Sequence, residues 1–240
     1  MKPLFIMKTG TTLEPIREVR GDFEDWIREG TGYASDELSV RSVYRGEAPL
    51  DPSEVSGVIV TGSSALVSER EPWSEQSSRW LSRAVAEEVP VLGICYGHQL
   101  LAHGCGGRVE RNPLGREIGT VTVELEGPAA DDPLFEGLPR ELGVQVSHVE
   151  SVLELPPGAR RLGSSAGDPN QVFALGEVAW GVQFHPEFDA DIVRGYIAGR
   201  RASIVEEGFD ADALTRDACD TNHGTRVLRR FGEIVRERAG

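Results

Sequence analysis

Two short stretches of the 240-residue chain carry the side-chain types that nucleophilic chemistry requires. The first, VPVLGICYGHQLLAHGCGG (89–107), sets Cys95 between Gly93 and Gly97 directly after an apolar run. The second, VAWGVQFHPEF (178–188), closes an alternating run on His185, with Pro186 and Glu187 following. Glycine two positions either side of a cysteine has the form of a sharp strand-to-helix turn: the central residue is forced into a crowded backbone conformation, and bulky neighbours would collide there. A sulfur on such a turn projects from the sheet edge and meets a helix N-terminus, whose partial positive charge favours thiolate. The N–H of Tyr96 is then left to stabilise a developing oxyanion.

Neither stretch is decisive alone. Cys95 taken singly reads equally as a small buried apolar residue. A metal site is a second rival, because Cys95, His98, His103 and Cys105 fall within eleven residues. His98 and His103 are five apart, however, and a helix turns such positions away from each other, so no metal is expected. Of the five histidines, His98, His103, His148, His185 and His223, the one before proline is the most informative. Proline holds His185 extended, which lets side chains 185 and 187 lean to the same side. Glu187 can then accept from one imidazole nitrogen while the other faces a thiol. By itself "HPE" also reads as a solvated turn.

The elements around these stretches alternate. PLFIM (3–7), LSVRSVY (38–44), GVIVTG (57–62) and VPVLGI (89–94) read as strands. Residues 22–29, with Trp26 and Ile27, and the residues after Cys95 up to Gly104 read as helices, as does 73–88 by its apolar stripe. From about residue 118 the chain becomes strand-rich, and 190–206 and 224–238 read as amphipathic helices, the latter with arginines on a solvated side. The expected fold is α/β: a three-layer, mostly parallel central sheet flanked by helices, with a smaller antiparallel strand region and a C-terminal helical tail. One domain over 1–240 is expected, with 1–188 as core and 189–240 as tail.

Bulk properties narrow the function classes. The balance of 25 Lys+Arg against 39 Asp+Glu gives −14, which repels a phosphate backbone, so nucleic acid and anionic membrane surfaces are not expected partners. No apolar run approaches the roughly 20 residues that span a bilayer, and "PLFIM" is too short for a signal peptide. Three cysteines in no framework spacing fit a reducing cytoplasm.

Together the pair GICYGHQLLAHGCGG and GVQFHPEF resembles the class I (triad-type) glutamine amidotransferases, over most of the chain up to at least Phe188. The resemblance is strongest to the glutaminase half of GMP synthase and to γ-glutamyl peptidase-like proteins. It implies Cys95 as nucleophile, completed by His185 and Glu187. VIVTGSSALV (58–67) is similar to the family loop that supplies the second oxyanion donor, which implies Gly62 beside Tyr96, with Ser63 next to the substrate. Gln99 matches the glutamine that holds the substrate's α-amino and carboxylate end. VQVSHVESV (144–152) resembles the S-H-x-D-x-V segment that closes the pocket, implying Ser147 and His148. Two departures touch the substrate contacts rather than the triad: Gly62-Ser63-Ser64 stands for G-G-P, and Glu150 for the usual Asp.

The implied reaction is hydrolysis of the γ-amide of glutamine, with no cofactor. The ammonia would go to a separate synthetase subunit, since no G-x-x-x-x-G-K-[ST] phosphate loop occurs in the chain. The alternatives are a stand-alone hydrolase of a γ-glutamyl compound and a catalytically silent binding module.

Overall fold

A computed structural model describes residues 2–239. In chain order the strands are β1 (Leu4–Lys8), β2 (Leu38–Ser42), β3 (Gly57–Val60), β4 (Val91–Ile94), β5 (Arg108–Arg111), β6 (Glu117–Leu125), β7 (Glu141–His148), β8 (Glu150–Glu154), β9 (Arg160–Ser164), β10 (Val172–Leu175) and β11 (Ala179–Val182). The helices are α1 (Glu14–Arg20), α2 (Phe23–Thr31), α3 (Pro72–Ala86), α4 (Tyr96–Gly104), α5 (Ala190–Gly199), α6 (Arg201–Glu206), α7 (Ala211–Asp217) and α8 (His223–Ala239).

Nine strands form one sheet in the order β2-β1-β3-β4-β11-β10-β9-β6-β7. Pairing is parallel from β2 through β11 and antiparallel from β11 to β7. β5 and β8 make a separate antiparallel pair. β1, β3 and β4 are buried on both faces, which is why they read as unbroken apolar runs, whereas the edge strand β2 is half-buried and alternates. Leu4, Ile6, Ile59 and Leu92 enter the core shared with Phe23 and Ile27 of α2 and Phe231 of α8. Phe5, Met7, Val58 and Val60 enter the opposite core with Trp80 of α3 and Leu100 of α4. Two helical layers enclosing a sheet are the expected architecture.

Differences from the sequence reading have local causes. α1 has no counterpart in the sequence reading, because Glu14–Arg20 buries only Ile16 and so shows no apolar stripe. The strand expected over 38–44 gives way at Val43 to a short 3-10 turn. The helix expected over 190–206 breaks at Arg200, one residue after the poor helix former Gly199.

The tail is the larger surprise. The arginine side of α8 is not merely solvated: Arg226 donates to the Gly137 carbonyl at 2.6 Å and Arg230 to the Pro133 carbonyl at 3.0 Å, while Arg236 lies 3.8 Å over the Tyr33 ring. Long side chains reach back because α8 already buries Val227, Leu228, Phe231 and Val235 against the sheet. The first turn of α8 abuts Pro186 so closely that a Cβ on Gly224 would lie 2.8 Å from the proline Cα.

Candidate active site

β4 ends at Ile94 and α4 begins at Tyr96, so Cys95 alone makes the turn. It does so at φ 51°, ψ −102°, a conformation that costs a residue with a side chain about 1–3 kcal/mol. The surroundings hold it there: the Cys95 N–H donates to the Val182 carbonyl at 2.9 Å, and its own carbonyl accepts from Gln99 N at 3.1 Å. The flanking glycines are required by close approach. A Cβ at Gly93 would lie 2.4 Å from the Gly97 carbonyl oxygen, and one at Gly97 would lie 2.4 Å from that of Val60. Both obstacles are backbone and cannot swing aside. Gly97→Ala is therefore expected to destabilise the fold by about 3 kcal/mol or more, read as a fall in denaturation midpoint. A loss under about 1 kcal/mol would mean that the turn can open.

His185 reaches Cys95 through strand order. β11 inserts beside β4 in parallel, with Val182 opposite Ile94, so the residues after each strand emerge at the same sheet edge. The His185 N–H then donates to the Gln145 carbonyl of β7 at 2.8 Å, which keeps residue 185 extended. Its ring is stacked on Phe188, with centroids 3.9 Å apart, and packs close against Gly62, where a Cβ would come 2.8 Å from Cε1. Nδ1 lies 2.8 Å from Glu187 Oε1, both side chains being buried. That pairing assigns the proton on Nδ1 and leaves Nε2 to face the thiol.

Ionisation follows from this proximity. Burial works against the Cys95 thiolate, yet the charge and hydrogen-bonding capacity of His185 outweigh it, with His148 adding to them, so the thiol sits below its ordinary pKa. Burial likewise opposes the imidazolium of His185, and the carboxylate of Glu187 together with the Cys95 sulfur raises it well above an ordinary histidine. The two shifts belong to one coupled pair, in which each group favours the charged form of the other.

The loop after β3 is pinned against β1. Thr9 donates twice to Thr61, its N–H to Oγ1 at 3.0 Å and its hydroxyl to the Thr61 carbonyl at 2.8 Å, and its hydroxyl also reaches the Gly62 carbonyl at 3.1 Å. The Gly62 N–H has no acceptor among the described residues. Tyr96, first in α4, presents an N–H that no helical carbonyl can take.

Ser63, Cys95, Tyr96, Gln99, Ser147 and His148 all line one small pocket that is partly open to solvent. Gln99 is less free than the sequence implied: its amide donates to the Glu150 carbonyl at 2.8 Å and to Gln183 Oε1 at 2.9 Å. Glu150 turns Oε2 toward the Val67 N–H at 2.9 Å, and its buried Oε1 has no partner among the described residues. The sequence reading missed Arg116 and Arg200, which line the same pocket. Arg116 is paired with Glu207, and the buried Nε of Arg200 has no acceptor among the described residues. Nothing in their spacing announces them, since one precedes a strand and the other sits at a helix break.

The residues weighed as a metal cluster scatter. His98 is buried against Phe173, and burial pushes its pKa down to about 3. His103 bonds Glu75 at 2.9 Å on the far side of α4. No group of three or more metal-ligating side chains occurs among the described residues, and none of their helices is long and apolar enough to cross a membrane. A groove lined by Leu125, Ala129, Phe135 and Arg140 contains none of the site residues.

Comparison with known proteins agrees with this architecture. The family model described as "Glutamine amidotransferase class-I" matches residues 34–193. The chain is 36% identical over 190 residues, 72% of its length, to the GMP synthase [glutamine-hydrolyzing] of Syntrophomonas wolfei, and 43% identical over 131 residues, 55% of its length, to that of Thermomicrobium roseum. It spans only 35% and 23% of those two relatives. A solved glutamine amidotransferase from Thermotoga maritima superposes with TM-score 0.75 at 25% identity, covering 97% of both chains. One from Methylobacillus flagellatus gives 0.71 at 27% identity, covering 99% of this chain and 94% of the other. The chain belongs to the class I glutamine amidotransferase family.

Proposed function

We propose that this chain hydrolyses the side-chain amide of glutamine and delivers the ammonia to a separate synthetase unit. The observation that carries the reading is the turn at Cys95, with the His185–Glu187 pair at 2.8 Å brought to it by the neighbouring strand. The Cys95 thiolate attacks the amide carbon, and the carbonyl oxygen gains charge between the Gly62 and Tyr96 N–H groups. His185 gives its Nε2 proton to the departing ammonia, leaving a γ-glutamyl thioester on Cys95. Water then yields a proton to the same nitrogen and adds to the thioester carbon, releasing glutamate and the thiolate. No step calls for a metal or an organic cofactor.

Substrate contacts follow from unpaired groups. The buried Oε1 of Glu150 is an acceptor suited to the α-ammonium, and the Arg200 guanidinium is a donor suited to the α-carboxylate. Ser63, Ser147 and His148 complete the wall, and Gln99 contributes by holding Glu150 and Gln183 in place. The partner is proposed because the matched portion is only 35% of one relative named for GMP synthesis and 23% of the other.

A substrate panel on the purified chain tests this. Glutamate release from glutamine, lost in Cys95→Ala, is the expected result. Turnover of γ-glutamyl dipeptides with none of glutamine would point instead to a stand-alone hydrolase. Turnover of neither, with or without a synthetase fraction, would point to a silent module.

A further inference from the structure

A second buried histidine–carboxylate pair stands beside the first. His148 and Glu117 are opposite each other on β7 and β6, and both are buried. His148 Nδ1 lies 2.9 Å from the Glu150 carbonyl oxygen, which can only accept, so Nδ1 carries a hydrogen. Nε2 lies 2.9 Å from Glu117 Oε2. That carboxyl is also filled from its other sides: Ser165 Oγ donates to Oε1 at 2.6 Å, and Gln171 Nε2 donates to Oε2. The Ser165 oxygen in turn accepts from Asp168 N at 3.0 Å, which leaves its hydroxyl proton for Glu117. A carboxyl group surrounded by donors is held as carboxylate. Both imidazole nitrogens then face acceptors, and only the imidazolium satisfies both.

The pair has a direction. His148 lines the Cys95 pocket, whereas Glu117 lies behind it. With both N–H groups committed, His148 has no hydrogen bond to give a substrate and acts through its charge alone. The titratable groups around it are Glu117 on β6, Glu150 on β8 beside it in the pocket, Asp168 in the loop before β10, Cys95 at the start of α4 and the neutral His98 within α4.

We propose that Glu117 holds His148 as a fixed imidazolium whose positive charge, turned toward the pocket, helps keep the Cys95 sulfur anionic before substrate arrives. Glu117 is thus a positioning residue acting through His148. The inference rests on Cys95 being the nucleophile, but its test does not require turnover.

Two measurements decide it. In the wild-type chain, 15N NMR of His148 is expected to show both ring nitrogens protonated well above pH 6.5, where a free histidine has lost half its charge. A His148 found neutral at pH 7 overturns the proposal whatever any variant does. In Glu117→Gln, iodoacetamide labelling of the Cys95 peptide, followed by mass spectrometry across pH, is expected to shift its midpoint up by about one unit. Labelling at pH below that midpoint falls correspondingly, by about tenfold. An unshifted profile in a variant that melts like the wild type also overturns it. Failure of the proposed function reads differently: Cys95→Ala would still release glutamate, or neither protein would.

Discussion

Cys95→Ala is expected to lower kcat for glutamine by about 10⁴-fold or more while leaving the fold intact. In the proposed mechanism Cys95 is the nucleophile, so its removal abolishes the thioester route, and what remains is the weak effect of binding and the oxyanion donors on attack by water. The fold survives because the sulfur makes no structural bond: Cys95 is a free thiol, and its backbone bonds to Val182 and Gln99 do not involve the side chain. A finer comparison isolates the strain at φ 51°. Alanine keeps the Cβ and therefore the conflict, whereas glycine adopts this region freely. Cys95→Gly should be as inactive as Cys95→Ala yet more stable by about 1 kcal/mol. Glutamate release and thermal melting of both variants check the pair of expectations. Residual activity within about tenfold of wild type in Cys95→Ala would remove the thiolate from the mechanism.

Glu187→Gln is expected to reduce kcat/KM by about 10²–10⁴-fold. The carboxylate is buried, with Oε1 on His185 Nδ1 and Oε2 without a partner among the described residues, so its charge is spent almost entirely on the imidazole. The sign of the pH effect follows. Burial pushes the His185 pKa down, while Glu187 and the Cys95 thiolate push it up and prevail. Without the carboxylate, burial gains and the ring loses its proton at lower pH. In the proposed mechanism the proton of His185 goes to the departing ammonia, so the alkaline limb of kcat/KM should move down by about one to two units in Glu187→Gln. Glu187→Asp keeps the charge at a longer reach and should lie between the two. An alkaline limb that stays in place would separate Glu187 from the titration of His185.

The tail bears on the same turn. Gln145 accepts from the His185 N–H, and its own amide donates to the Cys219 carbonyl at 2.8 Å. Gly224 packs on Pro186. Residues beyond 189 therefore brace the segment that presents the imidazole, in addition to covering the sheet.

The amino-acid sequence by itself determined the parts of this protein that are local. A strand, a turn at one residue and a helix are written into 89–104, because glycine is the only residue that tolerates the approach of Gly97 to Val60. The pairing of His185 with Glu187 is local as well, though it is made across a tight turn, closed by the Phe188 N–H on the His185 carbonyl at 3.3 Å, rather than along extended chain. Apolar runs announced the parallel strands because burial on both faces leaves no polar alternation. Only the tertiary structure decided what depends on strand order. The insertion of β11 between β4 and β10 brings positions 95 and 185 to one edge, and no spacing along the chain encodes that neighbour. The same holds for the pairing of β6 with β7, which sets Glu117 against His148, and for the helix break that leaves Arg200 at the pocket. Contacts between residues far apart in sequence arise from packing the whole core at once, and their types carry no signal until that packing is complete.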